Sequence, residues 1–234
     1  MLFRKLRAIF AHNWIAIIYF NFRMLPFRQA LRLPFDFYYG VRFESLLGKV
    51  ELRSSRVYRG MIKVGGRGSE MFSRTQSVLD IKGNVTFCGR VELGHGVLLR
   101  VEKRGNLNFG DNVRIGALSK VFCVNSINFG DEIDLSWECQ VFDTNFHFIR
   151  NTESGELDPR DGEVWIGSKN WIGNRVTVMK DTRTPDNFIV AANSLCNRDY
   201  SDMPECSIAG GIPIKLLRTE KCRVFESIEP VPGF

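Results

Sequence analysis

The sequence predicts a mainly β chain wound as a parallel β-helix, on two observations. Sixteen positions fall on a six-residue beat in three blocks: Ile81, Phe87, Leu93, Leu99; then Phe109, Ile115, Val121, Ile127, Ile133, Cys139; then Ile166, Ile172, Val178, Thr184, Val190, Cys196. Only Thr184 is not apolar, whereas a chain with 44% apolar residues would place about seven there by chance. A strand alternates every two residues and a helix every 3.6, so a strict six means short strands winding three to a coil, each sending an aliphatic side chain inward. The second observation is the glycines. Gly94, Gly110, Gly116, Gly167 and Gly173 each follow an inward apolar residue, and Gly130 follows Phe129 of the paired row Phe129, Leu135, Val141. Sharp corners need positive φ or no Cβ, and glycine supplies either.

The elements follow in order. Residues 1–36 read as a helical, basic segment ending near Pro26 and Pro34. Its opening MLFRKLRAIF resembles a secretory signal, but His12 and Asn13 interrupt the apolar run and no small-residue cleavage site follows, so export is not expected. Residues 37–75 read as irregular early coils, 78–99 as a first clean block and 107–142 as a second. From about Phe146 to Gly162 the chain is polar, loses the beat and reads as a loop protruding from a coil corner around 148–162. The ladder resumes over 164–199. Residues 207–218 leave it, and the tail to Phe234 reads as a closing helix and extended end. The expected organisation is therefore an N-terminal segment 1–36, a β-helix 37–206 and a closing segment 207–234.

The 234 residues suffice for one domain with appendages, and 25% charged residues are ordinary for a globular chain. The six cysteines form no CxxC pair and two occupy inward positions, so free thiols are expected. The net charge is +6, much of it from Arg4, Lys5, Arg7, Arg23, Arg28 and Arg32, set among Phe3, Phe10, Trp14, Ile15, Ile17, Ile18, Tyr19, Phe20 and Phe22. Two readings stand: an interfacial helix on an anionic leaflet, or a cap burying its apolar face on the first coil. No uninterrupted apolar run is long enough to span a membrane, so the body is expected in the cytoplasm, and no nucleic-acid-binding motif accompanies the charge.

Certain segments carry a more specific likeness. DTNFH at 143–147, WIGSKNWIGN at 165–174, AANS at 191–194 and AGGIPIKLLR at 209–218 resemble, in order and spacing, the hexapeptide-repeat acyltransferases. YFNFRMLPFRQALRLP and GMIKVG at 60–65 resemble the leader of their bacterial envelope-polysaccharide O-acetyltransferase branch. The resemblance implies a left-handed parallel β-helix, a homotrimer, and acetyl-CoA lying in a groove between neighbouring subunits. It implies an acetyl-CoA-dependent O-acetyltransferase acting on a sugar hydroxyl of a surface glycan or its lipid-linked precursor. An N-acyltransferase on an amino sugar, or a non-catalytic β-helical scaffold, are the alternatives.

In the resembled family the histidine of a D-x-(D/N)-x-H stretch deprotonates the acceptor, which makes His147 the expected general base; imidazole suits that task near neutral pH. Asp143 either fixes the imidazole tautomer or, as a corner carboxylate, caps backbone amides. Asn145, where the family often has an acid, is a candidate contact to the acceptor or the histidine loop. On the donor side the resemblance implies the Asn174 amide as oxyanion donor, the Ala192 amide against the pantetheine arm, and Lys215 and Arg218 at the CoA phosphates. Ile212 stands where the family prefers Asn. Trp165 and Trp171 either line the groove or pack between subunits. His95, between two glycines, reads as a solvated turn, and His12 belongs to the N-terminal segment. Three such scattered histidines supply no metal site.

Overall fold

A computed structural model of the chain describes residues 11–38, 40–66, 73 and 75–224. Phe3, Arg4, Lys5, Arg7 and Phe10 of the basic leader, and 225–234 of the tail, lie outside them. Three parallel sheets form the sides of a prism. Sheet A stacks strands Phe35–Phe37, Ile62–Gly66, Val91–Gly94, Val113–Ile115, Asp134–Leu135, Trp171–Ile172, Phe188–Val190 and Ser207–Gly210. Sheet B stacks Val41–Leu46, Ser77–Ile81, Leu98–Val101, Lys120–Cys123, Gln140–Phe142, Thr177–Val178 and Leu195–Cys196. Sheet C stacks Lys49–Leu52, Asn84–Phe87, Asn106–Phe109, Ser126–Phe129, Glu163–Ile166 and Thr182–Arg183. The chain visits A, B and C in turn, so each coil lies one rung above the last. This is the mainly β hexapeptide-repeat helix expected.

All sixteen beat positions are buried, Thr184 being the most accessible at 4%. Its hydroxyl accepts from the Gly167 amide at 3.0 Å and donates to Asn170 Oδ1 at 2.9 Å, which satisfies the one polar side chain on the beat. Val178 registers with Cys196, 18 residues on, which is three hexapeptides; Val121 registers with Val141, 20 on, because corners there are longer. On sheet C the longer corners bring Phe87, Phe109 and Phe129 into one row, with successive ring centroids 5.2 Å apart.

Of the two reasons for glycine at the corners, the structure shows the absence of a Cβ. The beat glycines do not take positive φ; non-glycine residues do, at Asn112, Glu132, Lys169, Asn187 and Cys206 between sheets C and A, and at Leu118, Glu138, Arg175 and Asn193 between A and B. Gly116 and Gly173 are needed for space: a Cβ would stand 2.4 Å from the Ser136 carbonyl carbon and 2.6 Å from the Ala192 amide nitrogen of the next rung.

The two ends are closed differently. Helix α1 (Trp14–Met24) is capped by the Asn13 side chain, which accepts from the Ala16 amide at 3.1 Å, and His12 Nδ1 lies 2.7 Å from Asp36 Oδ1. The two polar residues that break the signal-like run thus anchor the helix. Phe20 enters the core against Phe35, Phe37 and Phe43, while buried Asn21 bonds both the amide and the carbonyl of Phe35. A short helix α2 (Phe27–Ala30) follows. At the other end no closing helix forms among the described residues. Lys215–Arg218 turns back as an antiparallel strand on Ser207–Gly210, with Ile214 fully buried beneath it. Cys206 and Cys222 are disulfide-bonded, which corrects the free-thiol expectation for those two; Cys88, Cys123, Cys139 and Cys196 are free.

Candidate active site

The residues singled out in the sequence lie at two corners of the prism. Between sheets B and C the chain leaves Phe142 into an excursion built on an antiparallel hairpin, Ile149–Arg150 with Leu157–Asp158. Asp143 forms the base of this excursion. Its side chain is fully buried, and its carboxylate accepts from the Val124 amide at 2.8 Å and the Asn125 amide at 2.7 Å, two corner donors of the preceding coil. Burial pushes the Asp143 carboxyl above the ordinary carboxylate value, and the Val124 and Asn125 bonds pull it back only in part. Both oxygens face these amides, the corner-cap arrangement of the two anticipated.

Thr144 hydrogen-bonds Asp161 at 2.6 Å and the Asn145 amide donates to the Arg160 carbonyl at 2.9 Å, closing the neck of the excursion. Phe146, at φ 62°, folds back against Phe122 and Phe142 on the outer side of sheet B, with ring centroids 5.1 and 5.6 Å away. His147 follows that reversal and is exposed. The neck therefore fixes the backbone beside His147 while leaving the imidazole accessible.

The second corner joins sheets A and B. Its rungs run Gly94–His95, Gly116–Ala117, Ser136–Trp137, Gly173–Asn174 and Ala191–Ala192. The Gly173 amide donates to the Val190 carbonyl at 2.8 Å and Arg175 to Trp137 at 3.1 Å, but the Asn174 amide between them donates to no backbone carbonyl among the described residues. One rung on, Ala191 donates to Ala209 and Asn193 to Asn174, again leaving the amide between them, Ala192, outside the ladder. Asn174 and Ala192 thus present stacked N–H groups at an open corner, about 4.8 Å apart. Lys215 and Arg218 lie exposed on the terminal strand beyond this corner. Trp165 and Trp171 are 48% and 39% exposed, and the Trp171 indole donates to Ser136 at 3.2 Å. His95 is not a solvated turn: it is 5% exposed, because Thr75 folds over this corner and its amide reaches His95 Nδ1 at 3.5 Å.

Asn174 precedes its sheet B strand while Asp143 and His147 follow theirs, so one chain places donor amides and imidazole on opposite edges of sheet B. No cysteine is poised to carry an acyl group at either place. Cys139 and Cys196 are fully buried and desolvation pushes both thiols up to about 12, while burial drives Cys123 higher still. No group of three or more His, Cys, Asp or Glu side chains arranged to hold a metal occurs among the described residues.

No protein-family model matches the chain. It is 24% identical over 144 residues to the putative lipopolysaccharide biosynthesis O-acetyl transferase WbbJ of Escherichia coli K12, covering 58% of this chain and 72% of that protein. It is 26% identical over 191 residues to the probable acetyltransferase Rv3034c of Mycobacterium tuberculosis, covering 79% of this chain and 58% of that one. The chain is thus similar to two proteins that are acetyltransferases by name. Among solved structures the chain is similar to the polysialic-acid-specific acetyltransferase NeuO, with TM-score 0.46 and 13% identity over 85% of this chain and 92% of that one. A hexapeptide transferase family protein from Anaplasma phagocytophilum gives TM-score 0.48 and 14% identity over 76% and 82%.

Proposed function

We propose that this chain is an acetyl-CoA-dependent O-acetyltransferase that acts on a sugar hydroxyl of a bacterial surface polysaccharide or its lipid-linked precursor. The stacked, open amides of Asn174 and Ala192 carry this reading. Asn174 N–H faces the position of a thioester oxygen, Ala192 N–H meets the pantetheine arm, and Lys215 and Arg218 meet the phosphates. His147 takes the hydroxyl proton as the oxygen attacks the acyl carbon; the C–S bond breaks and the proton passes to the CoA sulfur. Because one chain holds these groups on opposite edges of sheet B, the imidazole of one protomer serves the donor corner of the next in a homotrimer. Asn145, at the neck beside His147, contacts the acceptor.

The test is thiol release from acetyl-CoA against a panel of bacterial glycan fragments, with the product analysed as ester or amide. Glycan-dependent release yielding an ester is expected; amide alone would replace the O-transfer reading, and no release with any fragment would favour the scaffold. Neutralising Lys215 and Arg218 together is expected to raise KM for acetyl-CoA about tenfold, as loss of charge-assisted bonds implies. An unchanged KM would take the phosphates elsewhere.

The N-terminal segment serves both readings offered for it. Ala16, Ile17, Phe20 and Met24 of α1 are buried in the cap, but Ile15, Ile18, Tyr19 and Phe22 form an outward apolar face, 83, 53, 53 and 43% exposed. Arg23, Arg28 and Arg32 are exposed beside it. That face rests on the cytoplasmic leaflet, where each cation near an anionic surface contributes about 1 kcal/mol. Sedimentation with phosphatidylglycerol vesicles, but not with phosphatidylcholine vesicles, is expected, and Ile15→Glu with Ile18→Glu should abolish it. Equal sedimentation of that variant would end this assignment.

A further inference from the structure

A groove of about 610 Å³ runs along sheet A beside the corner that carries the open amides. One end lies at His12 and Tyr38 beneath the N-terminal cap; the other lies at Ser136 and Trp137. That last rung is bonded directly to the Asn174 rung, through Ser136 N–H to the Ile172 carbonyl at 2.9 Å and Arg175 N–H to the Trp137 carbonyl at 3.1 Å. Lys215 and Arg218 lie on the opposite side of Asn174 along the prism. A donor stretched from those cations to the Asn174 amide therefore leaves its acyl carbon at the mouth of this groove, within about one 4.8 Å rung of Ser136.

The groove floor is a column of outward side chains in direct register: Lys63, Glu92, Arg114, Asp134. Each carboxylate is held by two cations. Lys63 Nζ and an Arg90 nitrogen lie 3.4 and 2.8 Å from Glu92, and Asp134 accepts a two-pronged bond from Arg114 and a further bond from Arg223. Arg90 and Arg223 line a smaller cavity of about 180 Å³ that shares Glu92, Arg114 and Asp134 as its wall. The groove itself is lined by two cations, Lys63 and Arg114, and two carboxylates, with Asp36 in register with Lys63 and bonded to His12 at its far end, and the carboxylates hold the cations in place before any ligand arrives. The Lys63 ammonium and the Arg114 guanidinium remain 40 and 58% exposed, with donors to offer.

We infer that this groove is the acceptor subsite and that it takes a sugar bearing a carboxylate or phosphate group. The inference rests on the acetyl-CoA reading above and adds the chemical class of the acceptor. The groove spans four rungs, about 14 Å, which is the length of two to three sugar rings. Its anionic group sits toward Lys63 and Arg114 while a hydroxyl reaches the Ser136 end.

Equilibrium binding tests this without turnover, using glucuronate, glucose 6-phosphate and glucose as probes of the full-length protein. At least one acid is expected to bind ten or more times tighter than glucose, and the acid that does names the anion. Lys63→Gln and Arg114→Gln should each weaken that acid about tenfold and leave glucose unchanged. Lys63→Gln guards against an Arg114 variant that fails to fold. Glucose binding as tightly as both acids, or acid binding that survives both substitutions, overturns the inference. So does acid binding lost instead on Lys215→Gln with Arg218→Gln, which would place the probe in the donor site. Acetyl-CoA binding, followed on the same samples, reports separately on the donor reading, so the two can fail independently.

Discussion

Replacing His147 by alanine is expected to lower the acetyl-transfer rate about 10²–10⁴-fold, the range general-base catalysis supplies, with acetyl-CoA binding retained. The imidazole is exposed on the excursion, and the neck is closed by Thr144, Asn145, Arg160 and Asp161 without it. The variant should therefore melt at the wild-type temperature, which separates a chemical role from a structural one. A sharper form of the experiment uses the opposite-edge placement of His147 and Asn174. Ala192→Trp should block the donor corner and be inactive alone. If the proposed homotrimer forms, mixed assemblies of Ala192→Trp and His147→Ala should recover activity, because a protomer with an intact imidazole then faces one with an intact corner. If the mixture stays inactive, the site does not span protomers; if His147→Ala alone is fully active, the base lies elsewhere.

How far the fold could be read from the sequence follows from what a period reports. A six-residue beat is a direct record of which side chains point inward, and all sixteen positions are buried. The corners are recorded less well. Glycine marks positive φ and close approach alike, and here close approach decides at Gly116 and Gly173 while Asn112, Glu138 and their equivalents take the left-handed conformation. The Cys206–Cys222 bond and the strand Lys215–Arg218 come from a tail folding back on the last rung, and long-range reversal leaves no periodic signature. His95 looked solvated because its neighbours are glycines, yet Thr75, twenty residues away, covers it. At the candidate site, the DTNFH run drew attention to Asp143 and His147, but only coordinates show that the Asp143 oxygens meet the Val124 and Asn125 amides. The open N–H groups of Asn174 and Ala192 are backbone atoms, invisible to any argument from residue type. Likeness to a family pointed there, and the amide of Ala117 on the same corner is open in the same way.

Asp143→Ala is expected to destabilise the protein by about 3 kcal/mol, since hydrogen bonds to a charged acceptor contribute about 1.5–3 kcal/mol each and two amide donors lose theirs. Asp143→Asn keeps one acceptor oxygen at the same place and should lose about half as much. The charge leaves its own trace. Burial raises the Asp143 pKa in the folded protein above its unfolded value, so between those two values the folded state holds more proton than the unfolded one, and stability falls as pH rises through that window. Above the folded pKa this contribution is constant. Urea unfolding followed against pH should show that decline in the wild type and a flatter line in Asp143→Asn, while both variants retain the thiol-release activity of whatever fraction remains folded. Had Asp143 instead oriented the imidazole, the pattern would reverse: both variants would lose catalysis in the folded state, and the unfolding midpoints would scarcely move. The corner-cap geometry selects the first outcome, because a carboxylate held by two amides of the preceding coil supports the excursion from below and reaches His147 only through the backbone between them.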